Sequence, residues 1–380
     1  MTARRLQRLT EVFREAYRNL TTGTTRPIIA LTAFALLVGA SGFAQARGVV
    51  GVSQAAERWV AQGSAVQIIT LDGRIDGRQC DALADVPGVE AAGAVRRADP
   101  LRPAALPSVP VNVFDVTPGL SDVLTVTAGP GQAPGGVWLA ADFARVVGIA
   151  SVSLPLVAEA AAGQAGRWSD AGAAPVSGVF TSPAGGQSSP LDYSILSPTA
   201  PVGPFDSCWA LLWPESGQTM SLLALTTTVT SSEDVGLRDS PRIAQLNTTA
   251  GTEFNAARRL TDLPTWPLTI ATVCLAAALG FGLTSTRKLE LASSLHAGVR
   301  KPSLLLQATL ESGGWLLPAA ALALAASFYA AHLDNPDPWW LAFYPALRTT
   351  VLAALAAWVC SLVAVALVRE KHLFRHFKQR

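Results

Sequence analysis

Charge is scarce in this 380-residue chain: Asp, Glu, Lys and Arg make up 15% of it, against about 25% in soluble domains. Hydrophobic residues reach 50% and the mean hydropathy is +0.33. That composition excludes a disordered chain, which needs high charge and few apolar groups, and argues against a wholly cytosolic enzyme. Histidine is scarcer still. His296, His332, His372 and His376 all lie outside Arg47 to Thr265, so no Ser-His-Asp or Cys-His nucleophile system and no His-based zinc site can form within that long segment. Acidic residues are scattered through it, but no spacing singles out a pair for carboxylate chemistry. None of the four lysines follows a glycine and no G-x-x-x-x-G-K-[ST] occurs, so the chain has no P-loop with which to hold ATP. His372 and His376 share the four-residue spacing of helix-borne metal ligands, but they sit in a basic stretch with Phe374 and Phe377 that reads better as a helix on a membrane surface. No catalytic, cofactor-binding or metal-binding residue is expected in this chain.

What is present is long apolar runs. Pro27 to Ala46, Trp266 to Ser285, Gly313 to Ala331 and Thr349 to Val368 contain no Asp, Glu, Lys, Arg or His, and each has the roughly 20 residues needed to cross a bilayer. The expected fold class is therefore membrane α-helical, with four transmembrane helices and a large α+β extracytoplasmic domain inserted between spans 1 and 2. The expected division is a cytoplasmic amphipathic helix at 1–26, spans at 27–46, 266–285, 313–331 and 349–368, and the outer domain with stalk helices at 47–265. A cytoplasmic loop at 286–312, a short outer loop at 332–348 and a basic tail at 369–380 complete it. Proton relays and ion paths usually need an ionisable group inside the bilayer, so a self-contained proton-coupled transporter is not expected.

Basic residues in short flanks mark the cytoplasmic side. Arg4, Arg5, Arg8, Arg14, Arg18 and Arg26 precede span 1; Arg287, Lys288, Arg300 and Lys301 lie between spans 2 and 3; Arg369, Lys371, Arg375, Lys378 and Arg380 follow span 4. The connection between spans 3 and 4 carries Asp334, Asp337, Trp339 and Trp340, with Arg348 alone at its end, which suits the outer face. Both termini are then cytoplasmic and the protein is multi-pass. The overall charge of +2 thereby resolves into a basic inner face, fit for anionic lipid, and a mildly acidic outer domain. A bacterial cytoplasmic membrane is the expected location, in keeping with arginine far outnumbering lysine and with abundant alanine and glycine. The rival reading is a cleaved signal peptide, since Ala44-Gln45-Ala46 resembles a signal-peptidase site and Arg4-Arg5 a twin-arginine signal. It fits less well, because the apolar run begins over twenty residues after those arginines and Glu11 and Glu15 interrupt the basic flank.

Leu6, Leu9, Phe13, Ala16, Tyr17 and Leu20 recur at helical spacing before span 1, which predicts an amphipathic helix. Val49, Val52, Ala56, Trp59 and Val60 extend span 1 outward until Gly63, and Arg242 to Leu263 reads as a returning stalk helix. Between them, strands are expected at Ala65 to Leu71, closing at Asp72-Gly73, and at Ala91 to Arg96, Val109 to Val116, Leu124 to Ala128, Val176 to Phe180, Trp209 to Trp213 and Ser221 to Thr230. Helices are expected at Arg78 to Ala84 and Leu139 to Val147. Pro- and Gly-rich stretches at Gly163 to Ala174 and Pro183 to Pro204 read as long loops, around a discontinuous second lobe. Cys274 and Cys360 fall in spans as small apolar groups. Cys80 and Cys208 fall in the outer domain, where an oxidising compartment favours a disulfide; two separate buried thiols are the alternative.

Arg287-Lys288-Leu289-Glu290-Leu291-Ala292-Ser293-Ser294-Leu295-His296-Ala297-Gly298-Val299 reads as a short helix between spans 2 and 3, with Leu291, Leu295 and Val299 on one face and Gly298 placed for a C-cap. This stretch resembles the signature of the FtsX/MacB-like ABC transporter permease superfamily, the type VII permease subunits, in which an R-x-x-E-(hydrophobics)-x-x-x-G segment after span 2 forms a coupling helix. Arg287, Glu290 and Gly298 match that pattern, and Glu311 at the start of span 3 matches a further acid of the family. Phe13 to Leu20 and Val86-Pro87-Gly88-Val89 are similar to its amphipathic helix and to an outer-domain turn. Ser293, Ser294 and His296 depart from it, standing where the family has apolar residues.

The resemblance implies a permease subunit that forms a homodimer, or a pseudo-dimer with a related permease, and binds a separate cytoplasmic ABC ATPase carrying ATP and Mg. Arg287, Glu290, Leu291, Leu295, Gly298 and Glu311 would couple it to that ATPase. By mechanotransmission it would extrude or handle a peptide, lipid or small molecule. Membrane lipid and an extracytoplasmic protein are further expected partners, and nucleic acid is not. The alternatives are a division-type permease that activates a cell-wall hydrolase, and a membrane-anchored receptor or adhesion domain without an ATPase.

Overall fold

The computed structural model describes residues 2–23, 25–128, 135–148, 153–157, 173–183, 189–214, 221–228 and 240–368. The basic tail with His372 and His376 lies outside the described residues. In chain order, helices α1 (Thr2–Thr21) and α2 (Pro27–Ala61) lead to β1 (Val66–Asp76), α3 (Gly77–Ala82), β2 (Val89–Leu101), β3 (Val111–Val116), α4 (Leu120–Val123), β4 (Thr125–Ala128), β5 (Val137–Ala140) and α5 (Ala141–Val147). Then come β6 (Ser153–Pro155), β7 (Ala173–Thr181), β8 (Ile195–Pro198), β9 (Pro204–Leu212) and β10 (Arg242–Gln245). Helices α6 (Ala256–Asp262), α7 (Thr265–Ser285), α8 (Lys288–His296), α9 (Lys301–His332) and α10 (Trp339–Ala366) close the chain. Two units result: a helical one, Met1–Ala55 with Ala256–Arg380, and a sheet one, Ala56–Asn255.

Among the described residues, four helical segments, Pro27–Ala61, Ala256–Ser285 (α6 with α7), Lys301–His332 and Trp339–Ala366, are long and apolar enough to cross a membrane, which supports a membrane location. They outrun the uncharged stretches. At 1.5 Å per residue α2 is about 52 Å long, well beyond the roughly 30 Å of hydrocarbon. Likewise α9 starts at Lys301, where extended Arg300 and Pro302 in the first turn set its beginning, and α10 starts just after Pro338. Helix hydrogen bonding continues through a charged residue; only the lipid boundary does not.

Small residues bring these helices close together. A Cβ on Gly280 of α7 would lie 2.2 Å from the Ala357 carbonyl oxygen of α10. Ala30, Ala276, Ala319, Ala323, Ala353 and Ala357 are buried in the same cluster, where Phe34 meets Trp315 edge-on at 5.9 Å. In lipid, such close approach supplies the packing that a hydrophobic drive cannot.

The sheet unit carries one hydrogen-bonded path, β10-β1-β9-β2-β3-β8-β5-β7-β4, with β6 added on β7. All described pairings are antiparallel except β3 with β8 and β5 with β7. The two sides of the sheet are buried differently. Leu101, Val113, Leu139, Phe180, Ile195 and Leu196 belong to one core; Ile69, Ile75, Phe205, Cys208 and Leu212 belong to a second, which includes Cys80 of α3. A Cys80–Cys208 disulfide, with Cα atoms 5.8 Å apart, ties α3 to β9. Asp76 caps α3 by accepting from the Arg78 and Gln79 amides, and Thr117 donates to the Asp81 carboxylate while accepting the Ala94 amide at 2.8 Å. Burial pushes the Asp81 carboxyl above its usual range, against the pull of the Thr117 hydrogen bond.

Gly93 of β2 sits directly under α4, so that a Cβ there would lie 2.2 Å from the Leu120 amide nitrogen. That neighbour is backbone and cannot swing aside. Gly93→Ala should therefore cost about 3 kcal/mol, read as a lowered unfolding temperature of the full chain with its membrane insertion unchanged; an unshifted transition would contradict the packing described.

Three expectations need correcting. The returning stalk expected at Arg242 to Leu263 is mostly not helix. Its first residues form β10 on the edge of β1, and the Asn247 side chain accepts from the Thr249 amide at 2.9 Å while donating to the Gln62 carbonyl. This Asx turn competes with helix formation, Gly251 at φ 104° breaks the chain again, and only α6 remains. The strand expected at Ser221 to Thr230 is instead a 3₁₀ turn at Leu223–Thr226, with Leu223 buried in the second core. There the hydroxyls of Thr226 and Thr227 bond back to the carbonyls of Leu223 and Ala224; residues 229–230 lie outside the described ones. The long loop expected at Pro183 to Pro204 is not all loop either, since β8 falls inside it and joins β3 to β5.

Candidate functional site

Of the residues singled out between the second and third apolar helices, Arg287, Glu290 and Glu311 meet at one point of the helical unit. Arg287 stands at the N-terminus of α8, where its guanidinium meets Glu290 through two hydrogen bonds, Nε to Oε2 at 2.9 Å and Nη2 to Oε1 at 2.7 Å. Its remaining arm donates to Glu311 Oε2 of α9 at 2.6 Å. Glu311 is buried, and its other oxygen accepts from Asn19 Nδ2 of α1 at 2.7 Å and Gln307 Nε2 at 2.9 Å. One guanidinium thus holds α8 to α9, and one carboxylate holds α9 to α1.

The electrostatics follow from that geometry. Burial of the Arg287 guanidinium works against its charge, but the hydrogen bonds it donates to Glu290 and the charge of Glu311 outweigh it, so its pKa stands above the usual arginine value. Hydrogen bonds from Arg287 draw the Glu290 carboxyl below its usual range despite partial burial. The contribution of Glu290 is therefore in place above the ordinary glutamate range and is lost as pH falls through the lowered folded-state value.

Apolar contacts set the orientation of α8. Leu291 and Ala292 are buried, and with Leu295 they pack against Leu304 and Ala308 of α9 and against Val365 and Val368. Val299 does not join that face; it lies past the helix end and is exposed. Gly298 ends α8 at φ 87°, with its amide on the Leu295 carbonyl and the Val299 amide on the Ser294 carbonyl, at 3.0 and 3.1 Å. This is a Schellman cap, which calls for glycine at that position. Ser293 and Ser294, the departures from the family pattern, turn their hydroxyls back to the Glu290 carbonyl and so leave the helix intact.

Asn19 and Gln307 are part of this cluster and were not expected in it. Asn19 is a buried polar residue on the same side of α1 as Ala16, and Leu20 beside it rests on Gly314 of α9, where a Cβ would come within 2.6 Å of it. Phe13 and Tyr17, read as part of the apolar stripe, are exposed. An open groove of about 560 Å³ runs between Glu11, Val12 and Glu15 of α1 and Gly298, Val299, Arg300 and Ser303. Among the described residues no group of three His, Cys, Asp or Glu side chains is placed to hold a metal.

The sequence matches no protein-family model and no curated protein. Among solved structures, part of the chain shows a likeness to the periplasmic region of MacB from Actinobacillus actinomycetemcomitans, at 10% identity and a TM-score of 0.32 over 48% of this chain and 90% of that one. It is also similar to a domain of a protein described as a permease from Porphyromonas gingivalis, at 16% identity and a TM-score of 0.30 over 44% of this chain and 86% of that one. Likenesses of this size assign neither fold nor activity.

Proposed function

We propose that the chain is the permease subunit of an ATP-binding-cassette complex and that α8 is its coupling helix. The observation that carries this reading is the Arg287–Glu290–Glu311–Asn19 cluster, which ties a short helix between two spans to both α9 and α1. A push on α8 from a partner would be passed to both helices together, because separating a buried ion pair exposes each charge to a medium that cannot solvate it. The groove flanked by α1 and the end of α8 is where such a partner would seat. ATP and Mg belong to that partner, and two permease subunits would face two ATPase subunits. The apolar spans offer no charged path, so the reading is one of motion passed outward to the sheet unit, to extrude or handle a peptide, lipid or small molecule, and not of passage through a polar channel.

Two variants test the assignment of α8. Glu290→Lys sets a cation against Arg287, and Gly298→Trp places a bulky residue at a left-handed position where only glycine is unstrained. Both should insert at wild-type amounts while reducing permease-stimulated ATPase activity to the rate of the ATPase alone. Stimulated activity retained in both variants would remove the coupling assignment.

A further inference from the structure

We propose that Arg348, stacked on Trp266, binds the phosphate of a membrane phospholipid at the seam between α7 and α10. Arg348 is the only Asp, Glu, Lys or Arg in α10. Its guanidinium carbon lies 3.9 Å over the centre of the Trp266 ring, a stack that occupies the face of the group and leaves its in-plane N–H donors to find acceptors. Within the chain they find almost none. Nη2 comes within 3.5 Å of Thr269 Oγ1, and Nε is shut off from solvent with no hydrogen-bond partner. The Thr269 hydroxyl is itself engaged by the Thr265 carbonyl at 2.8 Å and Thr349 Oγ1 at 2.7 Å.

Behind Arg348 the helices meet through an uncharged polar layer. Gln45 of α2 donates to Thr349 at 3.0 Å and Thr272 donates to Ser41 at 2.8 Å, so no carboxylate reaches the guanidinium from that side. A guanidinium with so few acceptors is costly to hold at this depth; because Nε is closed off, the phosphate contacts fall to the Nη donors, whose N–H groups match the oxygens of a phosphate. Trp266, in the first turn of α7 and 57% exposed, marks the depth at which indole rings sit among lipid headgroups. One turn deeper on each helix, Ile270 and Leu352 are exposed apolar side chains that would meet an acyl chain, which favours a lipid over free phosphate. The inference requires these helices to lie in a bilayer and is independent of any ATPase.

Native mass spectrometry of the full chain, titrated with phosphatidylglycerol with and without excess inorganic phosphate, tests it. R348Q should weaken phosphatidylglycerol binding about fivefold, as expected for one basic residue at an anionic surface, and W266L should weaken it while keeping the charge. Inorganic phosphate should not displace the lipid. Should R348Q fail to insert, W266L carries the comparison. Wild-type lipid affinity in the variant that folds overturns the proposal, and so does displacement by inorganic phosphate, which would make this a free-anion site.

Discussion

Arg287→Leu should destabilise the helical unit by about 3–5 kcal/mol, the cost of removing one partner from a buried ion pair. The reason is what it leaves behind. Glu311 is buried and faces Arg287 Nη1 at 2.6 Å; without the guanidinium its charge keeps only the neutral amides of Asn19 and Gln307. Replacing both partners, Arg287→Leu with Glu311→Leu, should restore most of the loss, because two apolar groups leave no uncompensated charge. Unfolding of the full chain in detergent distinguishes the cases: a double variant as unstable as Arg287→Leu would mean that the cluster contributes shape and not charge pairing.

The second large effect concerns the sheet unit. Cys80 and Cys208 are 128 residues apart in sequence, and closing a loop of that length restricts the unfolded chain by about 5 kcal/mol in the chain-entropy account. Both sulfurs belong to fully buried residues, so a reductant would reach them slowly and the double variant Cys80→Ala, Cys208→Ala is the cleaner comparison. It should lower the unfolding temperature of this unit by about 10–20 °C and leave the helical unit untouched. A shift of a degree or two would show that α3 is held to β9 by packing alone.

How much of this was readable in advance depended on the range of the forces involved. The spans are legible because lipid imposes a local rule, about 20 residues without charge, that no distant contact can rescind. Gly298 is legible for a similar reason: a helix end followed by glycine is a local event, and its φ of 87° follows. Glu311 could be marked as the acid opening an apolar run, but its partner Asn19 lies 292 residues away in sequence, and nothing around Asn19 distinguishes it from the polar residues on the solvated side of α1. The elements that were misread in the sheet unit fail for the same cause. Arg242–Gln245 has a helical pattern, yet an open edge on β1 claims it as a strand, and Leu222 to Thr227 has strand-forming side chains, yet a buried place for Leu223 and two back-bonding hydroxyls wind it into a turn. Tertiary contacts override weak local preference where the segment is short.

The coupling claim itself is tested most directly by purifying the tagged full-length chain from its own membranes, identifying what accompanies it, and measuring ATP hydrolysis in the eluate. The account predicts an ATP-binding-cassette protein in stoichiometric amount, with hydrolysis that falls to the isolated ATPase rate when the permease carries Glu290→Lys. A wild-type chain that elutes with no such protein and no ATP hydrolysis would contradict it.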